Sequence, residues 1–193
     1  MTTPSTRSSR LLACIVGLVA ASSAARADGG VPPELQVALV KKLVRFERHF
    51  VERAGANVQI LIVVLAGDDG SERAVAQLGK ALGAGPDIAG RPIKVSVARF
   101  SSPARLRSDA GDALADLVWL TPGLEARTAA IAAALVGMPV ITVAADGDGA
   151  DRGAILGFEL VSARPKIVIN VGQARRQGLD FDSDLFRLAR VIK

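Results

Sequence analysis

Blocks of apolar residues alternate with amphipathic segments along the chain, and this alternation predicts strands separated by helices. Residues 58–66 form a nearly continuous run of branched apolar side chains, which is typical of a strand covered on both faces of a sheet. Further strands are predicted at 93–98, 116–120 and 139–144, with helices at 34–53, 71–82, 103–109 and 121–137 and a loop at 84–92. Such alternation favours a mostly parallel sheet with helices on both faces.

In the C-terminal part of the chain, strands no longer alternate with helices. Predicted strands at 154–162 and 166–171 are joined by only three residues, which is too short for a crossover helix and therefore predicts an antiparallel hairpin. A turn of helix near 173–177 and a closing helix from about Ser183 follow. The predicted fold class is an α/β three-layer sandwich with a mostly parallel sheet and a C-terminal antiparallel hairpin.

The sequence also predicts which side of the first helix is buried and which residue caps the next helix. In the first helix, the side predicted to face the core consists of Leu35, Leu39, Leu43, Phe46 and Phe50. Ser71 is predicted to cap the helix that follows the first strand.

The first 27 residues have the pattern of an export signal. Arg7 and Arg10 precede an apolar run at 11–21, and small residues, Ala25 and Ala27, occupy the positions that a signal peptidase reads. That run is too short to span a bilayer, which takes about 20 residues. A lipoprotein signal at Cys14 is disfavoured because the apolar run follows the cysteine. We therefore expect cleavage after Ala27, a flexible lead over 28–33, a single domain over 34–193 and no membrane insertion of the mature chain.

Removal of the signal changes what the charge implies. The whole chain carries 24 basic and 19 acidic residues, a formal charge of +5, but the signal holds three arginines and no acid. The mature chain would carry 21 basic and 19 acidic residues, which disfavours nucleic acid as a partner. Cys14 is the only cysteine, so the exported fold cannot depend on disulfides.

The residues offer no recognisable catalytic or metal-binding set. With His49 as the only histidine and no mature cysteine, ordinary zinc, copper and iron–sulfur sites are excluded, and His49 is interpreted as structural. The Gly/Asp-rich stretch at 146–151 lacks the glutamate that a calcium loop needs, because Gly157 stands at the twelfth position, and it is interpreted as a surface turn. No catalytic residue, cofactor or metal is predicted.

The predicted fold nevertheless indicates where a ligand or partner would bind. In open α/β sheets, ligands lie beyond the carboxyl ends of the parallel strands. The polar residues there, and hence the candidate ligand or partner loops, are Asp68, Asp69, Ser101, Thr121 and Asp146.

A series of short motifs follows in a fixed order over residues 34–193. They include LVRF at 43–46, GRP at 90–92, PVITV at 139–143, GAILGF at 153–158, PKIVIN at 165–170, QAR at 173–175 and DSDLFRLARV at 182–191. In this order the chain resembles the YfiR family, also called the DUF4154 domain. Its motif residues Gly153, Phe158, Asn170 and Arg175 are interpreted as structural. Phe158 would face the core, Asn170 would satisfy backbone groups after its strand, and Arg175 would bind carbonyls at a helix end.

The resemblance implies a non-enzymatic, periplasmic signalling regulator. The best-understood kind of member binds the periplasmic sensor part of an inner-membrane diguanylate cyclase and represses it, which lowers cyclic-di-GMP and restrains biofilm formation. Others are paired with histidine kinases, and a homodimer is expected. Paired cysteines common in the family are missing, with Ala115 in the region of one, and 47–54 replaces its Trp-Pro element. A periplasmic small-molecule-binding module and a hydrolase with a carboxylate site are the alternative hypotheses.

Overall fold

A computed structural model describes residues 30–85 and 87–193, so the predicted export signal lies outside the described residues. The helices are α1 (Pro33–Leu43), α2 (Phe50–Arg53), α3 (Asp69–Gly83), α4 (Pro103–Asp112), α5 (Thr128–Ala134), α6 (Gly147–Asp151), α7 (Val171–Arg176) and α8 (Ser183–Phe186). Turns of 3-10 helix lie at Val44–Phe46 and Glu125–Arg127. The strands are β1 (Val58–Val64), β2 (Asp87–Ile88), β3 (Arg91–Arg99), β4 (Leu117–Leu120), β5 (Ile141–Ala144), β6 (Leu156–Val161), β7 (Arg164–Asn170) and β8 (Ala189–Ile192).

These strands form one eight-stranded sheet in the order β2-β3-β1-β4-β5-β6-β7-β8. The strands from β3 to β6 run parallel, and so do β7 and β8, whereas β2 with β3 and β6 with β7 are antiparallel pairs. The β6–β7 hairpin turns through Ser162 and Ala163, both at positive φ, which is the backbone of a tight two-residue turn. The predicted fold class is confirmed.

The sheet separates two hydrophobic cores, and β1 contributes to both. Ile60 and Ile62 point to the core built with α1, α3 and the C-terminal strands. Leu61 and Val63 point to the other core, which contains Leu106 of α4 and Ile131 of α5. Because successive side chains of a strand point to opposite faces, a continuous apolar run fits this position between two helical layers.

The first predicted helix is interrupted, and its predicted buried side is wrong in part. α1 ends at Leu43, and Glu47 forms an isolated antiparallel bridge with Phe181 before α2 begins. Leu35 is 37% exposed, whereas the buried positions of α1 are Gln36, Val37, Val40 and Leu43. The predicted stripe was drawn through one unbroken helix as far as Phe50. The helix ends at Leu43, and within it the face that meets the core is that of Val37, Val40 and Leu43.

The predicted closing helix begins at Ser183 as expected but does not continue to the end of the chain. α8 is a single turn of four residues, and the chain then forms β8, which pairs with β7 in the register Ile167↔Ala189 and Ile169↔Val191. Ala189 and Val191 pack against the core while Arg190 lies on the other face. The free edge of β7 supplies backbone partners that local helix propensity cannot reveal.

Smaller differences concern the ends of elements. Residues 84–92 contain β2 and the start of β3 instead of a loop, and the helix predicted from 121 begins at Thr128 after the 3-10 turn. The Gly/Asp-rich stretch contains the short helix α6, and Asp68 rather than Ser71 caps α3. Asp68 and Asp146 fix the first residues of α3 and α6, and the 3-10 turn at Glu125–Arg127 delays the start of α5.

Candidate functional site

The strand order defines where a crevice is expected. The chain passes from β1 to β3 on one side and then to β4 on the other, so the connections diverge between β1 and β4. The residues after these strands include Asp68 and Asp69 on one side and Thr121 on the other. Ligands of open α/β sheets bind at such a switch point.

A chain of hydrogen bonds closes this switch point from within. The Leu65 backbone N–H donates to Ser71 Oγ at 2.8 Å, the Ser71 and Thr121 hydroxyls are hydrogen-bonded, and Thr121 Oγ1 donates to the Val63 carbonyl at 2.7 Å. Ser71 and Thr121 are buried. Asp68 accepts from the Ser71 N–H at 2.7 Å as the cap of α3. Ser71 and Thr121 therefore hold the β1 and β4 ends together, and Asp68 fixes the start of α3 beside them.

Gly123 brings the loop after β4 against the start of α3. Its φ is 89°, a left-handed conformation that favours glycine, and a Cβ at this position would lie 3.1 Å from both Asp68 Cγ and Leu65 Cδ2. The two loops pack directly on each other. A side chain at position 123 would have to displace Asp68 or Leu65.

The carboxyl ends of β4 and β5 are equally close. Asp146 caps α6 by accepting from the Gly149 N–H at 2.7 Å. The space between Thr121, Leu124 and Asp146 has a volume of about 10 Å³, which is room for one water molecule. Asp146, like Asp68, has a structural partner for its carboxylate.

The two remaining candidates lie on the surface. Asp69 is exposed, and Ser101 is exposed on the wall of an open groove of about 540 Å³. We call this the β3–α4 groove; its lining includes Val97, Arg99, Ser101, Arg105, Asp109 and Asp112. Arg105 Nε lies 2.8 Å from Asp109 Oδ1 across one turn of α4. Of the five candidate positions, Ser101 alone borders a sizeable groove among those that the structure describes.

A second cleft lies at the opposite end of the sheet, and sequence reasoning missed it. We call this volume of about 470 Å³ the amino-end cleft; Arg53, Leu114, Asp116, Met138 and Pro139 are among its lining residues. Asp116 is 4% exposed, and its Oδ2 accepts from the Gln59 N–H at 2.8 Å. Burial raises the pKa of the Asp116 carboxyl, while the Gln59 hydrogen bond and the positive charge of Arg53 lower it less. Leu114, a non-glycine residue at φ 49°, is 78% exposed at the rim.

A buried ion pair lies beside this cleft. Arg53 Nη1 is 2.8 Å from Glu47 Oε2, and the Glu47 side chain is completely buried. Within the described part of the chain, Arg53 Nε and Nη2 are buried without a hydrogen-bond partner. An apolar strand preceded by an acid, Asp116 before β4, is the one sequence signal that could have pointed to this end of the sheet.

The residues of the family motifs lie in the packed C-terminal region. Gly153 has φ 113°, and a Cβ there would lie 2.8 Å from Ala132 Cβ, so glycine lets the chain pass close to α5. Phe158 is 1% exposed. Asn170 caps α7, accepting from Gln173 N–H at 2.7 Å and donating to the Ala150 carbonyl at 3.0 Å.

Arg175 of the QAR motif and its neighbour Arg176 behave differently. Arg175 is exposed on α7, and no side-chain hydrogen bond from it to helix-end carbonyls is found among the described residues. Its neighbour Arg176 donates instead to Gln173 Oε1 at 2.8 and 3.0 Å. The predicted role of Arg175 is therefore corrected.

The described residues contain neither a metal-binding cluster nor a membrane-spanning helix. No group of three His, Cys, Asp or Glu side chains within 30–85 and 87–193 could hold a metal ion. No helix in the same part of the chain is long and apolar enough to cross a membrane. His49 lies on the surface, with Nδ1 3.8 Å from Glu52 Oε2.

Comparison with solved structures shows where this fold occurs. A substrate-binding protein with adhesive properties from Clostridium difficile, in its ligand-free open form, superposes with a TM-score of 0.62 at 12% identity over 84% of this chain and 60% of that one. An ABC domain in complex with L-Trp from Streptococcus pneumoniae gives 0.59 at 13% identity over 84% and 62%. A conserved domain protein from Vibrio cholerae gives 0.57 at 18% identity over 84% and 60%.

At these identities the likeness concerns the fold alone, and the chain spans about three fifths of the length of the structures it matches. No curated protein sequence matches it. The family model of DUF4154, described as YfiR/HmsC-like, matches residues 33–190. The match extends over nearly all of the described chain and includes the motifs named above except for Val191, the last residue of the last one. The chain therefore belongs to the YfiR/HmsC-like DUF4154 family.

Proposed function

We propose that this protein is a non-enzymatic periplasmic regulator that binds the sensor region of an inner-membrane diguanylate cyclase or kinase and restrains it. Family membership over residues 33–190 is the observation that carries the proposal. The structure adds support, since the polar groups at the switch point serve helix caps and strand ends. Asp68, Thr121 and Asp146 are thereby committed to contacts within the fold.

The β3–α4 groove is the partner surface that we propose. It is open, and it combines the charged side chains of Arg105, Asp109 and Asp112 with apolar Ala98 of β3. Such a mixture of apolar and charged residues is common in interfaces that form and dissociate. Arg99 lies at the end of β3, where a substitution need not disturb either core.

Capture from membranes tests the proposal. The tagged full-length chain, exported in its own host, is expected to recover an inner-membrane protein with a periplasmic sensor region and a cyclase or kinase domain. Arg99→Glu should reduce that recovery, whereas Arg187→Glu, at an 84%-exposed side chain on the C-terminal part of the chain, should not. Capture of no membrane signalling protein, together with unchanged cyclic-di-GMP when the gene is deleted, would contradict the proposal.

The amino-end cleft favours a second candidate, a periplasmic small-molecule-binding module. Its walls combine apolar Leu114, Met138 and Pro139 with the buried carboxyl of Asp116, which is the usual composition of a ligand pocket. A ligand that binds the folded state raises thermal stability. Screening a metabolite library should then give a stabilising compound whose effect is lost in Asp116→Asn and kept in Asp112→Asn, at an exposed position. No stabilisation across the library would leave the cleft without a role in binding.

A further inference from the structure

The outer edge of β3 has no strand partner beyond Pro92 in the part of the chain that the structure describes. β1 pairs with β3 along seven residues, from Val58↔Ile93 to Val64↔Arg99. On the other side, β2 pairs only with Arg91 and Pro92. A seven-residue stretch, 93–99, therefore forms an open edge.

The backbone groups that point outward can be assigned. Phe100 N–H donates to the Val64 carbonyl of β1, so residues of the same parity, among them Ser96 and Ala98, direct their backbone groups toward β1. The alternate residues, 93, 95, 97 and 99, direct their N–H and C=O groups away from it. Arg91 has the same parity, and of the two β3 residues paired with β2 it is the one with a backbone N–H to donate, since Pro92 has none.

The side chains of this edge are unusually apolar for an exposed strand. Val95 is 43% and Val97 53% exposed, although their partners on β1, Ile60 and Ile62, are buried. An exposed apolar edge with free backbone groups favours pairing with another strand. The charged residues within it are Lys94 and Arg99.

We infer that β3 pairs with β3 of a second copy of this chain, antiparallel, about a two-fold axis that passes at Ser96. Ser96 is the midpoint of the open stretch, so this register alone pairs all seven residues with their counterparts. Val95 then faces Val97 of the second copy, and Lys94 faces Ala98. Outward-pointing groups meet outward-pointing groups throughout, and no two like charges are opposed.

Neighbouring registers are worse for identifiable reasons. A shift of two residues toward the start of β3 opposes Arg99 to Arg91 of the second copy, a like-charge pair at a position where β2 already occupies the edge. A shift toward the end opposes Val95 to Arg99 and shortens the paired stretch. The homodimer expected from the family resemblance had no assigned surface, and the open edge of β3 provides one. This inference does not depend on the proposed function.

Cysteine cross-linking tests the register in the full chain carrying Cys14→Ser, which removes the only native cysteine. In the Ser96-centred register the two Ser96 residues form a non-hydrogen-bonded pair with Cα atoms about 4.5 Å apart, within reach of a disulfide. Ser96→Cys should therefore form an intermolecular disulfide under mild oxidation. Lys94→Cys alone should not, because the two copies of residue 94 would lie roughly 13 Å apart. Lys94→Cys mixed with Ala98→Cys should cross-link.

A substitution pair with equal exposure tests the edge without oxidation. Val95→Lys should weaken dimerisation by about tenfold, measured by sedimentation, because both Val95–Val97 contacts of the dimer are lost. Val51→Lys, at a position that is also 43% exposed, should leave it unchanged. A monomeric parent chain, equal cross-linking of Ser96→Cys and Lys94→Cys, or equal effects of the two lysines would overturn the inference.

Discussion

The buried ion pair of Glu47 and Arg53 joins the first helices to the C-terminal part of the chain. Glu47 Oε2 accepts from Arg53 Nη1 at 2.8 Å, and Glu47 Oε1 accepts from the His49 and Asp180 backbone N–H groups at 3.3 and 3.4 Å. The Glu47 side chain is fully buried, and that of Arg53 is 18% exposed. Removing the arginine would leave a carboxylate out of water with only two long hydrogen bonds.

We choose Arg53→Met because methionine keeps an apolar stem and deletes the guanidinium, whose Cζ lies 5.7 Å from the centre of the Phe50 ring. Breaking a buried pair from one side costs about 3–5 kcal/mol of unfolding free energy. Arg48→Met is the matched control. Arg48 Nη1 lies 3.2 Å from Asp180 Oδ2, but the two side chains are 55% and 57% exposed, and such pairs contribute about 0–1 kcal/mol.

Urea unfolding near neutral pH, with the midpoint and slope determined for each variant, measures both losses. A double-mutant cycle with Glu47→Gln then isolates the pair, and we expect a coupling above about 1 kcal/mol because the groups share a buried contact. The reasoning fails if Arg53→Met and Arg48→Met lose the same stability. It fails equally if the coupling is within the error of the cycle.

Three further outcomes can be measured on the same chain by unfolding experiments. Phe158→Ala should lose about 3–5 kcal/mol because the ring is 1% exposed in the core, and Leu160→Ala, two residues along β6 and 41% exposed, much less. Gly137→Ala should cost roughly 1–2 kcal/mol of left-handed backbone strain alone, because a Cβ at 137 meets nothing within 4 Å. Gly123→Ala should cost more, because its Cβ would also lie 3.1 Å from Asp68 Cγ and Leu65 Cδ2. Burial raises the pKa of the Asp116 carboxyl in the folded state above the ordinary value of 3.8, so at a pH between these two pKa values the folded state binds more protons than the unfolded state. The free energy of unfolding should therefore fall as pH rises from 3.8 to the folded-state pKa, and Asp116→Asn should abolish this dependence.

The central strands were predictable because a strand buried between two helical layers consists almost entirely of apolar residues. The apolar run at 58–66 became β1 within two residues, and the three-residue link at 163–165 required a hairpin. The C-terminal helix begins where predicted, at Ser183, but its predicted extension was wrong because residues 189–192 suit either structure. β8 forms only because β7 offers an open edge 22 residues earlier in the pair Ile167↔Ala189, a relation outside any local window.

For the candidate site, too, one part could be predicted from the sequence and another could not. Positions beyond strand ends follow from the strand pattern, which is how Asp68, Thr121 and Asp146 were chosen. Whether their polar groups are free depends on the sheet order, because the Ser71–Thr121 hydrogen bond joins residues 50 apart in sequence. The amino-end cleft was missed for the related reason that Arg53, Leu114 and Asp116 meet only after β1 and β4 pair.

The closure of the switch point determines where recognition by this fold is expected. A crevice between diverging connections normally holds the ligand in open α/β sheets. Here Gly123 allows the loop after β4 to pack on the cap of α3, and the hydroxyls of Ser71 and Thr121 are engaged in hydrogen bonds within the fold. The two surfaces that we propose for binding other molecules both lie at β3. Ser96 and Val97 belong to the open edge of that strand and also to the lining of the β3–α4 groove. A partner in that groove would therefore contact the strand through which, in our inference, two copies join.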